Sequence, residues 1–553
     1  MTQWFNKLFR NGEPFIWLTA AALVISIMMV GGLLVLIMFK GLGIFWPSDL
    51  VTVKLKSGSI VMGQKIQREV IPEPGSVAGT VLKQRILLKV ANRDVYGQDF
   101  RWIDESDIDS MQYPKDAVVF ERMEWGDFYG FLKVKRDSGG KTIDNQRQMW
   151  TSMTSELPGL HHLLDAIKKV EKIEIGDINF RIEKLRLKIH GLEIENARTY
   201  GTAKIPESLK RLDSYRAETA ALEKKYHEKE ATLAELYNRL KESVIVVDTI
   251  DGRSKEINEG GIVRIYKPND LGVFSKAWIY ASKLLDFLVD DPREANTEGG
   301  VFPAIFGTVF MVLVMSVIVM PFGVLAALYL KEYAKQGLIV RIVRICVNNL
   351  AGVPSMVFGV FGLGFFIYFI GGTVDKFFFT DALPTPTFGT GGVLWASFTL
   401  ALLTLPVVIV STEEGLAAVP NDVKLGSLSL GANKFETLVH VIIPSALPGI
   451  LTGLILAIAR AAGEVAPLMI TGVVKLAPNL PLDGHFPFVH LERKFMHLGF
   501  HIYDVGFQSP NVESAKPMVF MTTFLLILIV LVLNLAAIWT RNYLKKKYSM
   551  STI

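Results

Sequence analysis

Six apolar stretches, each long enough to cross a hydrocarbon core, set the limits on what this chain can fold into. A core about 30 Å thick takes about 20 residues of helix. It admits only structures that satisfy their own backbone hydrogen bonds. The first stretch, FIWLTAAALVISIMMVGGLLVLIMF at 15–39, meets that length. The others are expected at roughly 303–330, 345–370, 393–411, 449–471 and 517–540. A cleaved signal peptide would have a shorter core and a small-x-small site. KGLGIFWP at 40–47 matches such a site poorly, so the first run reads as an anchor that stays.

Basic residues orient the spans. Lys7 and Arg10 precede the first. Lys331, Lys335, Arg341 and Arg344 lie between the second and third, and Lys424 and Lys434 between the fourth and fifth. Arg541, Lys545, Lys546 and Lys547 follow the last. With six spans all four groups fall on one side, so both termini are expected in the cytoplasm. The loop at 371–392 carries only Lys376, beside Asp375 and Asp381; the loop at 472–516 is more mixed. The net charge of +5 is small, and no basic cluster interleaved with stacking aromatics points to nucleic acid. Cys346 is the single cysteine, so no intramolecular disulfide can staple the chain.

This topology places residues 45–298 outside the cytoplasm. VTVKLKSGSIVMG, TVLKQRILLKVANRDV, SVIVVDT and GGIVRIYK read as strands, with turn residues such as PEPGS at 72–76 between them. A helical section is expected at about 160–242. Ile178, Ile182, Leu185, Ile189 and Leu192 are spaced four, three, four and three. Leu222, Tyr226, Leu233, Leu236 and Leu240 keep a similar beat, with Lys229 in one apolar slot. That spacing argues a coiled-coil seam. Gly201 and Pro206 interrupt it, so an antiparallel hairpin with its tip near 199–206 is expected. Either it packs on its own domain alone or it is a docking arm. WIYASKLLDFLVDD at 278–291 is amphipathic and suits the membrane surface. The fold class expected is therefore an α-helical membrane protein with an extracytoplasmic α+β domain carrying a coiled-coil hairpin.

Enzyme signatures are weak. SGGKT at 138–142 resembles the end of a phosphate-cradling loop, but Lys135 stands where that pattern needs glycine. The segment is also expected on the side without ATP. His161, His162, His485, His490, His497 and His501 lack the carboxylate or cysteine spacing of a metal site. No serine lies in a nucleophile elbow, so no covalent chemistry, cofactor or metal is assigned.

LILAIARAAGEVAPLMITG at 454–472 puts Arg460 and Glu464 four residues apart inside an apolar run. A charge at a bilayer centre costs about 2.5–3.5 kcal/mol on insertion scales. The pair either ties helices together or faces a path that a charged solute travels. Pro467 removes one helical hydrogen bond and clashes with the carbonyl of Gly463, so the helix is expected to bend at the charges.

The segment STEEGLAAVPNDVKLGSLSLGANKFETLVHVIIPSALPGILTG at 411–453 reads as two short helices at a sharp angle, ending in Pro444 and Pro448. Gly431 suits the positive φ of the turn. Asn421 or Asp422 is expected to cap the helix after Pro420. This segment resembles the signature loop of ABC-importer permeases, with Gly431, Val441, Ile443 and Pro444 in the family's order. Leu425-Gly426-Ser427 stands where that family often has Glu-Ala-Ala. NTEGG at 296–300, PFGVLAALYLKEY at 321–333, VPSMVFGVFG at 353–362, STEEGLAAVP at 411–420 and AIARAAGEVAPL at 457–468 resemble the PstA-type permeases of phosphate importers.

The resemblance implies a permease in the bacterial inner membrane that forms half of a translocation path and has no ATP site of its own. Its partners would be a PstC-like second permease, a cytoplasmic ATPase dimer, a periplasmic phosphate-binding protein and membrane lipid. Its cargo would be phosphate. Arg460 and Glu464 would face the path, with the kink at Gly463 and Pro467. Glu413, Pro420, Leu425, Gly431, Val441, Ile443 and Pro444 would form the loop that couples to the ATPase. The alternatives are a sulfate or molybdate permease, a secondary transporter or channel without an ATPase, and a sensory protein centred on 45–298.

Overall fold

A computed structural model describes residues 13–70, 84–137, 142–198, 205–509 and 512–549. Lys7, Arg10, the PEPGS turn, residues 138–141 of SGGKT and most of the expected hairpin tip lie outside the described residues. The chain divides into two compact units. One comprises the described residues of Met1–Phe45, Val301–Ile367 and Gly391–Ile553; the other comprises those of Trp46–Gly300 and Tyr368–Thr390.

The second unit is built on two antiparallel sheets. In the first, β1 (Leu50–Leu55), β2 (Ile60–Val70), β3 (Gln84–Lys89), β4 (Phe100–Asp104) and β5 (Ile108–Gln112) lie in the order β4-β3-β2-β1-β5. Alternation places Val51, Val53, Ile86 and Leu88 in its core. The second sheet has the order β10-β9-β7-β6-β11, with β8 against β7. Its strands are β6 (Val118–Arg122), β7 (Phe128–Arg136), β8 (Thr142–Ile143), β9 (Val244–Asp248), β10 (Ser254–Asn258) and β11 (Ile262–Tyr266). Phe120, Phe128, Ile245 and Val247 pack against Met149 and Met153 of a covering helix. Lys135 is fully buried in β7 and binds Glu156 at 2.8 Å and Glu259 at 3.1 Å. Its place in the SGGKT pattern is thus taken by a structural ion pair.

The helical section starts earlier than its seam suggested. Helix α1 (Gln146–Lys168) runs through a wide i→i+5 turn at Lys169–Ile175 into α2 (Gly176–Arg198). Pro158 lies inside α1. The section begins at 146 because Asn145 caps it, accepting the backbone N–H groups of Arg147 and Gln148. Helix α3 (Ile205–Lys241) packs Leu222 and Tyr226 on Ile178 and Leu185, and Leu233 and Leu240 on Leu164 and Ile167. Lys229 reaches Glu174 at 2.7 Å, which accommodates its charge in the seam. Helix α4 (Val273–Val289) follows β11.

The first unit is the membrane part. Among the described residues six helices are long and apolar enough to cross a bilayer: Phe15–Phe45, Phe302–Tyr333, Ser355–Phe378, Val393–Ala417, Lys434–Gly463 and Ala515–Lys546. The protein is a multi-pass α-helical membrane protein. Span four packs against spans two and five, span five against six, and six against one. Spans three and five depart most from the sequence reading. Span three begins at Ser355 rather than 345, because Leu338–Leu350 forms a separate amphipathic helix, α5, and Pro354 precedes the span. Span five begins at Lys434 rather than 449. Pro444 falls in the first turn of its α-helical part, directly after a wide i→i+5 turn at Leu438–Ile442, and Pro448 lies inside it. Span five also ends at Gly463 rather than 471.

Candidate functional site

The end of span five holds the charged residues. Arg460 lies in the last helical turn, and Glu464 is already extended, with φ −81° and ψ 132°. The expectation of a pair one helical turn apart is therefore corrected: the pair straddles a break. Proline at 467 disfavours helical geometry at the residue before it and cannot donate to the Gly463 carbonyl. The helix stops at Gly463 instead of bending. The chain turns through Val465 and Ala466 and resumes as α7 (Leu468–Thr471) with Pro467 at its N-cap. Arg460 Nε and Glu464 Oε1 are 3.8 Å apart, beyond hydrogen-bond reach, and the two side chains are 31% and 23% exposed. An arginine at a helix C-terminus also faces the negative end of the helix dipole.

Neighbouring segments hold the break through close approaches. A Cβ on Gly359 of span three would lie 2.8 Å from Pro467 Cα. One on Gly362 would lie 2.3 Å from Thr399 Oγ1 and 3.0 Å from Thr471. Gly392 N donates to Thr471 O at 3.1 Å, and Thr471 Oγ1 donates to Pro467 O at 3.0 Å. Gly499 packs on Val465. Beside Gly499, His497 is fully buried; its Nδ1 accepts the Gly499 N–H at 3.1 Å, and burial pushes it down to about 3. His497 is thus a neutral imidazole against the break, which its lone position in the sequence did not signal.

His485 and His490 brace the loop after the break. His490 lies 3.0 Å from both Asp483 and Glu492, and Arg493 is 2.6 Å from Asp483. Burial opposes ionisation of Asp483, but the His485 N–H and Arg493 outweigh it and hold the carboxyl at about 2. No group of three ligand-type residues arranged to hold a metal occurs among the described residues.

At the far end of span five lies the segment expected to couple to an ATPase. Helix α6 (Asn421–Ser429) has Pro420 at its N-cap and no side-chain cap, so neither Asn421 nor Asp422 caps it; both fall in its first turn. Gly431 has φ +92°. Asn433 and Glu436 then form a reciprocal capping box at 2.8 Å each way. The chain continues through a wide turn at Leu438–Ile442, which contains Val441, into the helix that starts with Ile443 and Pro444. Only one short helix therefore precedes the span. Ile442 between the signature residues is buried, with Leu438. Leu425, Leu428, Leu430 and Phe435 are exposed.

Two ion pairs brace this loop. Lys424 binds Glu332 at 2.6 Å, and Lys434 donates to the Glu332 carbonyl at 2.5 Å. Glu413, in the last turn of span four, binds Arg344 of α5 at 3.2 Å. These partners are 92 and 69 residues apart in sequence, too far for any local pattern to reveal.

The family described as binding-protein-dependent transport system inner membrane component matches residues 319–550. The probable ABC transporter permease protein YqgI of Bacillus subtilis (strain 168) is 31% identical over 284 residues, covering 50% of this chain and 90% of that protein. The phosphate transport system permease protein PstA of Pasteurella multocida (strain Pm70) is 30% identical over 222 residues, 38% of this chain and 72% of that protein. The same-named protein of Mycobacterium leprae (strain TN) is 36% identical over 203 residues, 36% of this chain and 61% of that protein. Among solved structures, the inward-facing MetNI methionine ABC transporter in its CY5 native crystal form aligns with a TM-score of 0.33 and 17% identity, over 44% of this chain and 94% of that one.

Proposed function

We infer, from the premise that this chain belongs to the binding-protein-dependent inner membrane permeases and among them to the PstA type, that it forms half of the translocation path of an ATP-driven phosphate importer. The name shared by two of its relatives, phosphate transport system permease protein, supports the cargo. The observation that carries the reading is the break at Glu464, which leaves Arg460 beside a carboxylate it does not hydrogen-bond. Arginine presents a planar, permanently charged fork suited to phosphate oxygens. An arginine without a counter-charge would be costly when the path is empty. Glu464 supplies that charge at 3.8 Å, close enough to neutralise and too far to lock. Phosphate oxygens replace Glu464 at Arg460 during passage, and the pair re-forms on release. Broken helices of this kind line solute sites in other transporters.

The partners follow from the same reading. A PstC-like permease completes the path, and a periplasmic phosphate-binding protein delivers the cargo. A cytoplasmic ATPase dimer meets the loop at 411–447 through exposed Leu425, Leu428, Leu430 and Phe435. The pairs Lys424–Glu332 and Arg344–Glu413 hold that surface in place. In this orientation both termini are cytoplasmic and residues 46–300 are periplasmic, in the inner membrane of a bacterium.

The test is radiolabelled phosphate uptake in cells lacking their own high-affinity importer, with this chain and its partners restored and sulfate and molybdate as competitors. Uptake that needs ATP and ignores both anions is the expected result. Arg460→Gln, at matched abundance, is expected to cut uptake at least about tenfold, equivalent to about 1.4 kcal/mol on the barrier. Undiminished uptake removes Arg460 from the path, and competition by sulfate or molybdate changes the cargo.

A further inference from the structure

Helix α4 (Val273–Val289) has one face with no partner among the described residues. Phe274 is 93% exposed, Trp278 77%, Leu285 61% and Val289 66%. Their spacing of four, seven and four residues forms a single stripe along the helix.

The opposite face is fixed by charge. Lys283 donates to Tyr266 at 3.1 Å and pairs with Glu121, and Arg264 reaches Asp286 at 2.5 Å and Ser282 at 2.9 Å. The helix therefore cannot roll to hide its apolar stripe without breaking these part-buried pairs.

Both ends of α4 are tied to residues that adjoin membrane spans. Near its start, Lys276 binds Asp49 at 2.5 Å, and the Tyr280 ring lies 6.0 Å from Trp46. Trp46 is the first residue after span one. At its other end, Gly300 donates to Asp291 O at 3.0 Å, and a Cβ on Gly300 would lie 2.1 Å from the Asp290 carbonyl. Gly300 is two residues before span two. The turn that brings these residues together is the short antiparallel pair Pro292–Arg293 with Glu298–Gly299.

We propose that the stripe of Phe274, Trp278, Leu285 and Val289 lies in the lipid interface, with α4 parallel to the membrane surface. A helix tied at both ends to residues that adjoin spans lies at the membrane boundary, where apolar side chains meet acyl chains and a tryptophan meets the headgroup level. The occupant is lipid, because covalent continuity with spans one and two brings lipid to this face. The helix then acts as a float that sets the level of the sheet whose β6 and β11 it is bonded to. The inference rests on the chain spanning a membrane and not on its cargo.

The test uses the full chain in lipid nanodiscs on a Cys346→Ser background, Cys346 being the single cysteine. Trp278→Cys and, separately, Leu285→Cys carry an environment-sensitive fluorophore, with Arg136→Cys as the water-exposed reference. Spin-labelled lipids with the label near the headgroup are expected to quench both α4 probes several-fold more than the reference, and more than lipids labelled near the methyl end. Aqueous iodide is expected to quench in the reverse order. Iodide quenching at both α4 sites equal to that at the reference overturns the proposal by leaving the face in water. Protection from lipid label and iodide alike also overturns it and puts a protein chain there. Two sites keep the test decisive if one variant fails to assemble.

Discussion

Among single residues, Arg460 and Glu464 carry the transport reading, while Glu298 of the NTEGG motif carries a titration. Burial and the nearby Asp127 carboxylate push Glu298 up to about 7, against the pull of Lys89. Lys89 and Asp127 bind each other at 2.6 Å, so Glu298 faces a cation that is already engaged. A carboxyl raised in the folded state binds its proton more tightly there than in the unfolded chain. Its folded form is then favoured at low pH, and stability falls as pH rises from about the unfolded value of 4.5 to about 7. The melting temperature of the purified protein is expected to decline across that window. Glu298→Gln, which keeps a neutral side chain, is expected to flatten the decline and to melt higher at pH 8. Equal slopes in wild type and variant would remove Glu298 as the cause. Asp483 works in the opposite sense. Its carboxyl, held at about 2, contributes stability above the usual carboxylate range and loses it as pH falls toward 2. The pairing of Arg460 with Glu464 was visible from their spacing. The extended backbone at Glu464 was not, because a proline three residues ahead is as compatible with a bend as with a stop.

At the scale of elements, the break in span five depends on helices packed without side chains between them. Gly359→Val would place a Cβ 2.8 Å from a backbone atom of Pro467, which cannot yield cheaply. Overpacking of this kind costs about 1–3 kcal/mol. The variant is expected to melt lower and to lose phosphate uptake at matched abundance. Normal uptake would mean that the break tolerates displacement. The six spans were legible because long apolar runs have few alternatives. Their ends were less so, since apolar residues continue past a helix end as readily as within it. Leu338–Leu350 shows this: its apolar residues joined the third run in sequence, yet Pro354 divides the two in space. Pro444 and Pro448 misled in the other sense, reading as terminators where one falls in a first turn and the other is accommodated within the helix. In the polar block the alternation of Val244–Asp248 and Ile262–Tyr266 revealed strands, whereas β6 and β7 between them carried no clear boundary signal.

Across the whole molecule, residues 368–390, the last part of span three and the loop after it, group with the polar block rather than with the other spans. Buried Asp375 accepts the backbone N–H groups of Phe388 at 2.8 Å and Gly389 at 2.7 Å, closing that loop on itself. The loop also touches the helical hairpin. His190 Nδ1 lies 2.7 Å from the Asp381 carbonyl oxygen, and the Asp381 carboxylate fills the space a side chain on Gly191 would need. Gly191→Leu is expected to release the loop, raising protease cleavage at 379–390 several-fold without altering the sheets. Unchanged cleavage would show that the hairpin does not restrain it. A different consequence follows from the helical run Lys434–Gly463. Thirty residues of helix form a rod about 45 Å long. In the proposed assembly its foot rests on the ATPase and its head carries Arg460. A tilt of about 5° at the foot would swing the head by about 4 Å, as much as the 3.8 Å that separates Arg460 from Glu464. Such a lever would turn a small stroke at one surface into the opening of a charge pair at the other, with no change of fold in between.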